Sequence, residues 1–144
     1  MKADERSFSP TLRANLVFML NKATEESNRQ MAVVTGPHGF SIKQYGLLLL
    51  LEAEGPQAQI VLSEKVGLDR TTVMTTVDRL EKQGLVERRP DANDRRKNCV
   101  TLTEAGQRMV NQNAAQLQAA QDELFSELTK AEREQLHQLL NKLA

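Results

Sequence analysis

The segment from Asp69 to Glu104 constrains this chain more than any other, because it joins a capped amphipathic helix to a hairpin too short and too charged to hold itself together. Asp69 stands where an N-cap carboxylate accepts from the free amides of a first turn, and Gly84 stands where a glycine stop belongs. Between them Val73, Val77 and Leu80 fall at i, i+4 and i+7, so they share one stripe that requires a cover. The opposite face carries Arg70, Thr71, Met74, Thr75 and Asp78. Such short, hydrogen-bonding side chains suit the base edges of a major groove, although a polar outer face is also the norm for a surface helix.

The residues that follow sharpen the reading. Leu85-Val86-Glu87-Arg88-Arg89 has the composition of a strand stopped by Pro90, and Asn98-Cys99-Val100-Thr101-Leu102 that of a returning strand. Pro90 to Asp94 is a turn, and beyond it Arg95, Arg96 and Lys97 stand in succession. A hairpin of this size has no core, so that charge is used externally. A helix of this kind running into a two-stranded hairpin with a cationic tip predicts a winged helix-turn-helix, in a fold that is mainly α with a small β-hairpin wing.

The run LDRTTVMTTVDRLEKQGLVERRPDANDRRKNCVTLTEAG resembles the MarR family of bacterial transcriptional regulators. The likeness is carried by Val77-Asp78-Arg79-Leu80-Glu81, Gly84-Leu85-Val86, Asp94-Arg95-Arg96 and Leu102-Thr103-Glu104-Ala105-Gly106, with Ser41 to Leu51 matching upstream. The resemblance implies a homodimeric regulator, expected to be a repressor, on a palindromic operator in double-stranded DNA. Arg70, Thr71, Thr72, Met74 and Thr75 are expected at the major groove, Arg96 in the minor groove, and Arg95 and Lys97 on phosphates. Asp94 is expected to orient the wing by holding an arginine or its own turn amides. At Thr75 the chain departs from the many members that carry a basic residue there. The resemblance also implies a small-molecule effector, such as an aromatic carboxylate, in a pocket between the dimer-forming helices and the winged region. Leu16, Met19, His38, Tyr45 and Leu48 are candidates to line it, although apolar helical stripes are more often core.

The remainder of the chain suits one domain. It has 144 residues, 40% of them hydrophobic and 3% aromatic, which predicts a single aliphatic, helical core. The expected division is residues 41–102 for the winged helix-turn-helix and residues 1–40 and 103–144 for dimerisation helices. Ser9-Pro10 opens a first helix carrying Leu12, Leu16, Met19, Leu20 and Ala23 to Met31 or beyond, broken at Gly36-Pro37-His38-Gly39. Ser41 and Gln44 form a capping box, with Phe40 and Tyr45 as a hydrophobic staple, for a buried helix through Leu47, Leu48 and Leu51 to Gly55-Pro56. Ile60 to Val66 form a short helix ended by Gly67. From Thr103 a long helix carries Ala105, Met109, Leu117, Ala120, Leu124 and Leu128, and a second capping box, Thr129 with Glu132, opens a last helix with Leu136, Leu139, Leu140 and Leu143. These terminal stripes exceed what so small a body can cover, which predicts a two-fold dimer over an intramolecular three-helix cluster.

Formal charge is zero, 19 basic against 19 acidic residues, yet residues 57–102 hold 9 basic against 7 acidic and residues 103–144 hold 4 against 6. The local run Arg95 to Lys97 bears on a phosphate more than the whole-chain sum does. Cys99 is the only cysteine, which excludes an intrachain disulfide and a cysteine metal cluster. No catalytic set is recognisable around His38 or His137, so neither enzyme activity, a metal nor a cofactor is expected, and two surface histidines are the simpler reading. Two alternatives stay open: an oxidant-sensing regulator acting through Cys99, and a winged-helix module that binds protein partners in place of DNA. There is no bilayer-length apolar run and no leader-like segment, so the expected location is the cytoplasm and no membrane partner is expected.

Overall fold

The computed structural model describes residues 8–144, and the part of the expected 1–40 region before Phe8 lies outside the described residues. The elements run α1 (Pro10–Arg13), α2 (Leu16–Thr35), a 3-10 turn (Gly36–His38), α3 (Ile42–Glu54), β1 (Gln57–Ala58), α4 (Gln59–Val66), α5 (Arg70–Lys82), β2 (Val86–Pro90), β3 (Asn98–Leu102), α6 (Glu104–Leu124) and α7 (Lys130–Asn141). Helices dominate, with a small antiparallel sheet, as expected.

Ser9 caps α1 and Pro10 occupies its first turn, but the expected single first helix is two. Asn15 adopts an extended conformation (φ −100°, ψ 118°), and its side-chain oxygen accepts from the Val17 and Phe18 amides, so it restarts the chain as the N-cap of α2. The Ser41–Gln44 capping box closes in both directions, at 3.2 and 3.1 Å, and the staple residues Phe40 and Tyr45 are both buried in the main core.

That core gathers Tyr45, Leu47, Leu48 and Leu51 of α3, Leu62 of α4, Val73, Val77 and Leu80 of α5, Val86 and Val100 of the sheet, and Met109 and Val110 of α6. The sheet order is β1-β3-β2, so the hairpin has a third strand that the sequence reading lacked: Gln57 pairs with Val100 and Ala58 with Cys99. Two residues are too few to leave a period-2 signal, and the preceding Gly55-Pro56 reads only as a helix stop. β2 and β3 pair from Val86 opposite Leu102 to Pro90 opposite Asn98, so the first strand, expected at residues 85–89, starts one residue later and takes in Pro90 as its last member.

α6 ends at Leu124, so Leu128, expected within it, lies in the turn before α7. The break holds neither glycine nor proline; it is closed by the Leu128 amide on the Phe125 carbonyl (3.0 Å) and followed by the Thr129–Glu132 capping box. The start of α6 is pinned to the end of α5. The Thr103 hydroxyl donates to the Gly84 carbonyl (2.6 Å), the Thr103 amide donates to the Leu85 carbonyl (3.0 Å), and the Gly106 amide donates to the Thr103 hydroxyl (3.1 Å). A Cβ on Gly106 would meet the Leu85 carbonyl oxygen and stand 2.7 Å from Leu102 Cδ1, so only glycine permits this backbone approach.

Gly106→Ala is therefore expected to destabilise the fold by about 1–3 kcal/mol through overpacking. Gly46→Ala, inside α3 with only Val66 Cγ1 at 3.8 Å, is expected to be neutral or stabilising by roughly 0.5–1 kcal/mol. Urea denaturation of both variants at one protein concentration checks the contrast, and equal midpoints would remove the close approach as a constraint.

Candidate nucleic-acid interface

α4 and α5 are the two arms of a helix-turn-helix, joined through Gly67, which takes φ 69° at the end of α4. α5 divides cleanly. Val73, Val77 and Leu80 are fully buried, joined by Thr76, whose hydroxyl donates to the Thr72 carbonyl (2.7 Å). Arg70, Thr71, Met74, Thr75 and Asp78 are exposed on the other face. Asp69 caps the helix, accepting from the Thr72 amide (2.8 Å) and the Thr72 hydroxyl (2.6 Å). Thr72 is thus half-buried with its hydroxyl proton committed to the cap, whereas the Thr75 hydroxyl donates to the Thr71 carbonyl (2.9 Å) and keeps lone pairs outward. The Thr72 hydroxyl, ahead of the backbone amides, holds the Asp69 carboxyl below its ordinary range.

The wing tip is ordered by its own side chains. Asp91 accepts from the amides of Asn93 (2.7 Å) and Asp94 (3.2 Å), and backbone bonds join Asp91 to Lys97 and Lys97 to Asp94. Asp94 Oδ1 accepts from both the amide and Nε of Arg96, each at 3.1 Å, and the Arg96 side chain holds the Asp94 carboxyl low. Arg95, Arg96 and Lys97 are all exposed, Arg96 to 91% of its side chain, so the tip presents three cations to solvent with one backbone-anchored carboxylate beneath them.

Sequence reasoning missed Arg88. From β2 its amide donates to Glu81 Oε2 (2.9 Å), and its guanidinium reaches Glu81 Oε1 (3.1 Å) and Asp78 Oδ1 (2.6 Å) on α5 and Gln59 Oε1 (3.2 Å) on α4. The signal was legible: Arg88 is two residues after buried Val86, so strand alternation points it at the body, and Asp78 and Glu81 are spaced to meet it. Arg79, on the same helix, stacks over the Phe40 ring at 4.9 Å from its centroid.

A cleft of about 230 Å³ lies between α3 and α6, lined by Tyr45, Leu49, Glu52, Val110, Leu117 and Gln118 among others. Of the five candidate ligand residues, Tyr45 alone lines it. Leu48 is core, Leu16 is exposed at the start of α2, Met19 lies at the edge of exposure further along that helix, and His38 Nε2 sits 3.2 Å from Asn113 Nδ2. Burial pushes the Tyr45 phenol up, and its buried hydroxyl lies near Asn113 without completing a hydrogen bond. Cys99 is half-buried on β3, opposite Arg89 and Ala58, with Thr101 Oγ1 at 4.0 Å. Among the described residues no three His, Cys, Asp or Glu side chains converge as metal ligands, and no helix is long and apolar enough to cross a membrane.

The MarR family model matches residues 40–97, the stretch from the staple residue Phe40 to the wing cations. Over that stretch the chain is similar to the MarR family. MarR-family proteins are transcriptional regulators, not enzymes. A probable transcriptional regulator from Pseudomonas aeruginosa is 28% identical, with a TM-score of 0.84 over 92% of this chain and 99% of that one. CouR from Rhodococcus jostii RHA1, bound to p-coumaroyl-CoA, is 26% identical, with a TM-score of 0.83 over 94% and 95%. A mutant of MarR from E. coli complexed with operator DNA shares the fold at 24% identity, with a TM-score of 0.81 over 94% and 99%.

The Asp69 cap of α5 gives a pH test. Its carboxyl is lowered from 3.8 in the folded chain, so its stabilisation is present at neutral pH and is lost as pH falls below 3.8 through the folded value. Asp69→Ala is expected to lower Tm at pH 7, with the gap from the wild type narrowing as the pH falls into that range. A gap independent of pH would assign the loss to packing.

Proposed function

We propose that this chain is a MarR-family regulator, a homodimeric DNA-binding repressor that a small-molecule effector releases from its operator. The observation that carries the DNA-binding reading is the division of α5: one face is locked in the core, and the other offers Arg70, Thr71, Met74 and Thr75 outward beside a cation-tipped wing. Arg70, Thr71, Thr72, Met74 and Thr75 serve the major groove, Thr72 by supporting the first turn through Asp69 as much as by contact. Arg96 enters the minor groove, where an arginine finds enhanced negative potential over narrow A·T-rich segments, and Arg95 and Lys97 meet phosphates. Asp94 orients the wing by pre-aiming Arg96. The fold shared with the MarR protein complexed with operator DNA supports this reading.

The dimer reading rests on apolar surface that one chain leaves open. Leu16, Val17 and Phe18 on α2, Leu139 and Leu140 on α7 and Leu143 just after it are exposed, and α7 buries no residue at all. Contiguous apolar surface of this kind marks an interface. Residues 1–40 and 103–144 supply it and residues 41–102 the DNA-contacting unit. The effector site is the α3–α6 cleft, lined by Tyr45, Leu49, Val110 and Leu117, which suits the ring of an aromatic acid or its thioester; CouR, bound to p-coumaroyl-CoA, supports the ligand class.

Arg70→Ala is expected to weaken binding to an operator selected from a random DNA pool more than binding to random duplex, since a base contact discriminates by about 1–3 kcal/mol. Arg96→Ala is expected to weaken both and to flatten the log-log salt dependence by roughly 0.9 per lost charge. Fluorescence polarisation across salt concentrations reads both; an Arg96→Ala protein with wild-type affinity and slope would remove the wing from the mechanism.

Deleting residues 129–144 is expected to yield an aggregating or unfolded chain. Light scattering that finds a soluble, folded monomer would overturn the assigned interface.

A further inference from the structure

Arg88 is the most heavily engaged side chain near the proposed interface, and none of its bonds points at solvent. Its guanidinium joins three elements, β2, α5 through Asp78 and Glu81, and α4 through Gln59, while its own amide holds Glu81 a second time. Only 23% of the side chain is exposed, and the two carboxylates it meets are 52% and 41% exposed. Ion pairs this open contribute little to stability, so the network is poorly explained as a stabilising device. Its geometry is more informative. A planar guanidinium with five donors fixes direction as well as distance, and here it ties the root of the wing to the middle of the helix. The rest of the hairpin is held at its root, by the turn at Gly84, by Val86 and Val100 in the core and by β1 on β3, and the wing tip lies beyond these anchors.

We propose that Arg88 is a positioning residue that fixes the angle between the wing and α5, so that the helix and the Arg96 tip reach adjacent grooves of one duplex together. This rests on the DNA-binding reading above. Arg88 does not itself touch DNA. Preorganisation of this kind adds affinity by removing the cost of ordering the wing at the moment of binding. It acts most on the DNA whose two grooves both match, and least on random sequence.

The competing explanations predict different numbers. If Arg88 were a phosphate contact, its loss would reduce the salt slope. If it only masked Asp78 and Glu81 from the phosphates, removing those two carboxylates would raise affinity. Positioning predicts neither. The experiment measures binding of wild type, Arg88→Ala, Arg88→Lys and the double variant Asp78→Asn/Glu81→Gln to pool-selected operator and to random duplex DNA across salt. Circular dichroism and light scattering check that each variant is folded and dimeric. Expected are a loss on the order of tenfold on operator for Arg88→Ala, a smaller loss on random DNA, and an unchanged salt slope. The double variant should show a similar loss although it removes two negative charges, and the lysine variant only partial rescue, with faster amide exchange across residues 86–102 wherever affinity falls. The double variant leaves Arg88 in place and so tests the network even if Arg88→Ala fails to fold. Unchanged operator affinity in folded variants, a salt slope lowered by about one unit, or tighter binding by the double variant would each overturn the proposal. Wild-type protein with no salt-dependent DNA binding would instead remove the DNA-binding reading and this inference with it.

Discussion

The burial of Val73, Val77 and Leu80 orients everything that matters on this chain. All three have no exposed surface, and they meet α3, α4 and the two sheet valines in one cluster. Burying each such side chain contributes about 1.5–3 kcal/mol, a sum comparable with the net stability of a whole domain, so α5 has one admissible rotation about its axis. The composition of its outer face then becomes a surface of fixed direction. Nothing on that outer face has to be specified by packing, which leaves Arg70, Thr71, Met74 and Thr75 at liberty to serve recognition.

A second constraint follows from the first. The chain leaving α5 must turn, form a strand and return beside the same core, and each step is pinned by a short-range bond. Thr103 holds the Gly84–Leu85 turn, Gly106 lets α6 press on the Leu85 carbonyl, and Arg88 binds β2 back to α5. The wing tip beyond these anchors is organised by Asp91 and Asp94, whose carboxylates take up turn amides and one arginine. Cationic charge is thereby held at the end of a stiff arm in a chain whose net charge is zero. The local arrangement sets what the surface can attract, because screening cuts the reach of distant charges to about 8–10 Å at ordinary salt.

The two ends of the chain are packed differently from its centre. The C-terminal half of α2 contributes buried Met31 and Val34, but its N-terminal half keeps Leu16 and Leu20 at the surface, as α7 does Leu139 and Leu140. Between these regions lies the α3–α6 cleft, with Tyr45 and Asn113 burying polar atoms that a fully apolar core would exclude. A buried hydroxyl without a partner costs free energy, and such sites are retained where something other than stability is at stake.

Read from residues alone, the caps were nearly all legible: Ser9, Ser41, Asp69, Thr103 and Thr129 start helices because a side-chain oxygen and an amide two or three residues on are neighbours whatever the rest of the chain does. The α5 stripe and the wing strands were legible for the same reason, since period and turn chemistry are local. Asn15 as a cap splitting the first helix was present in the sequence and outweighed by the apolar period running through it. What the sequence could not settle was contact between distant residues. β1 exists because β3 offers it a partner, Arg88 matters because Asp78, Glu81 and Gln59 converge on it, and His38 meets Asn113 across 75 positions. Leu48 and Leu16 look alike on a helical period, yet one is core and the other surface. Periodicity reports which residues share a face; only the packed structure decides what that face meets.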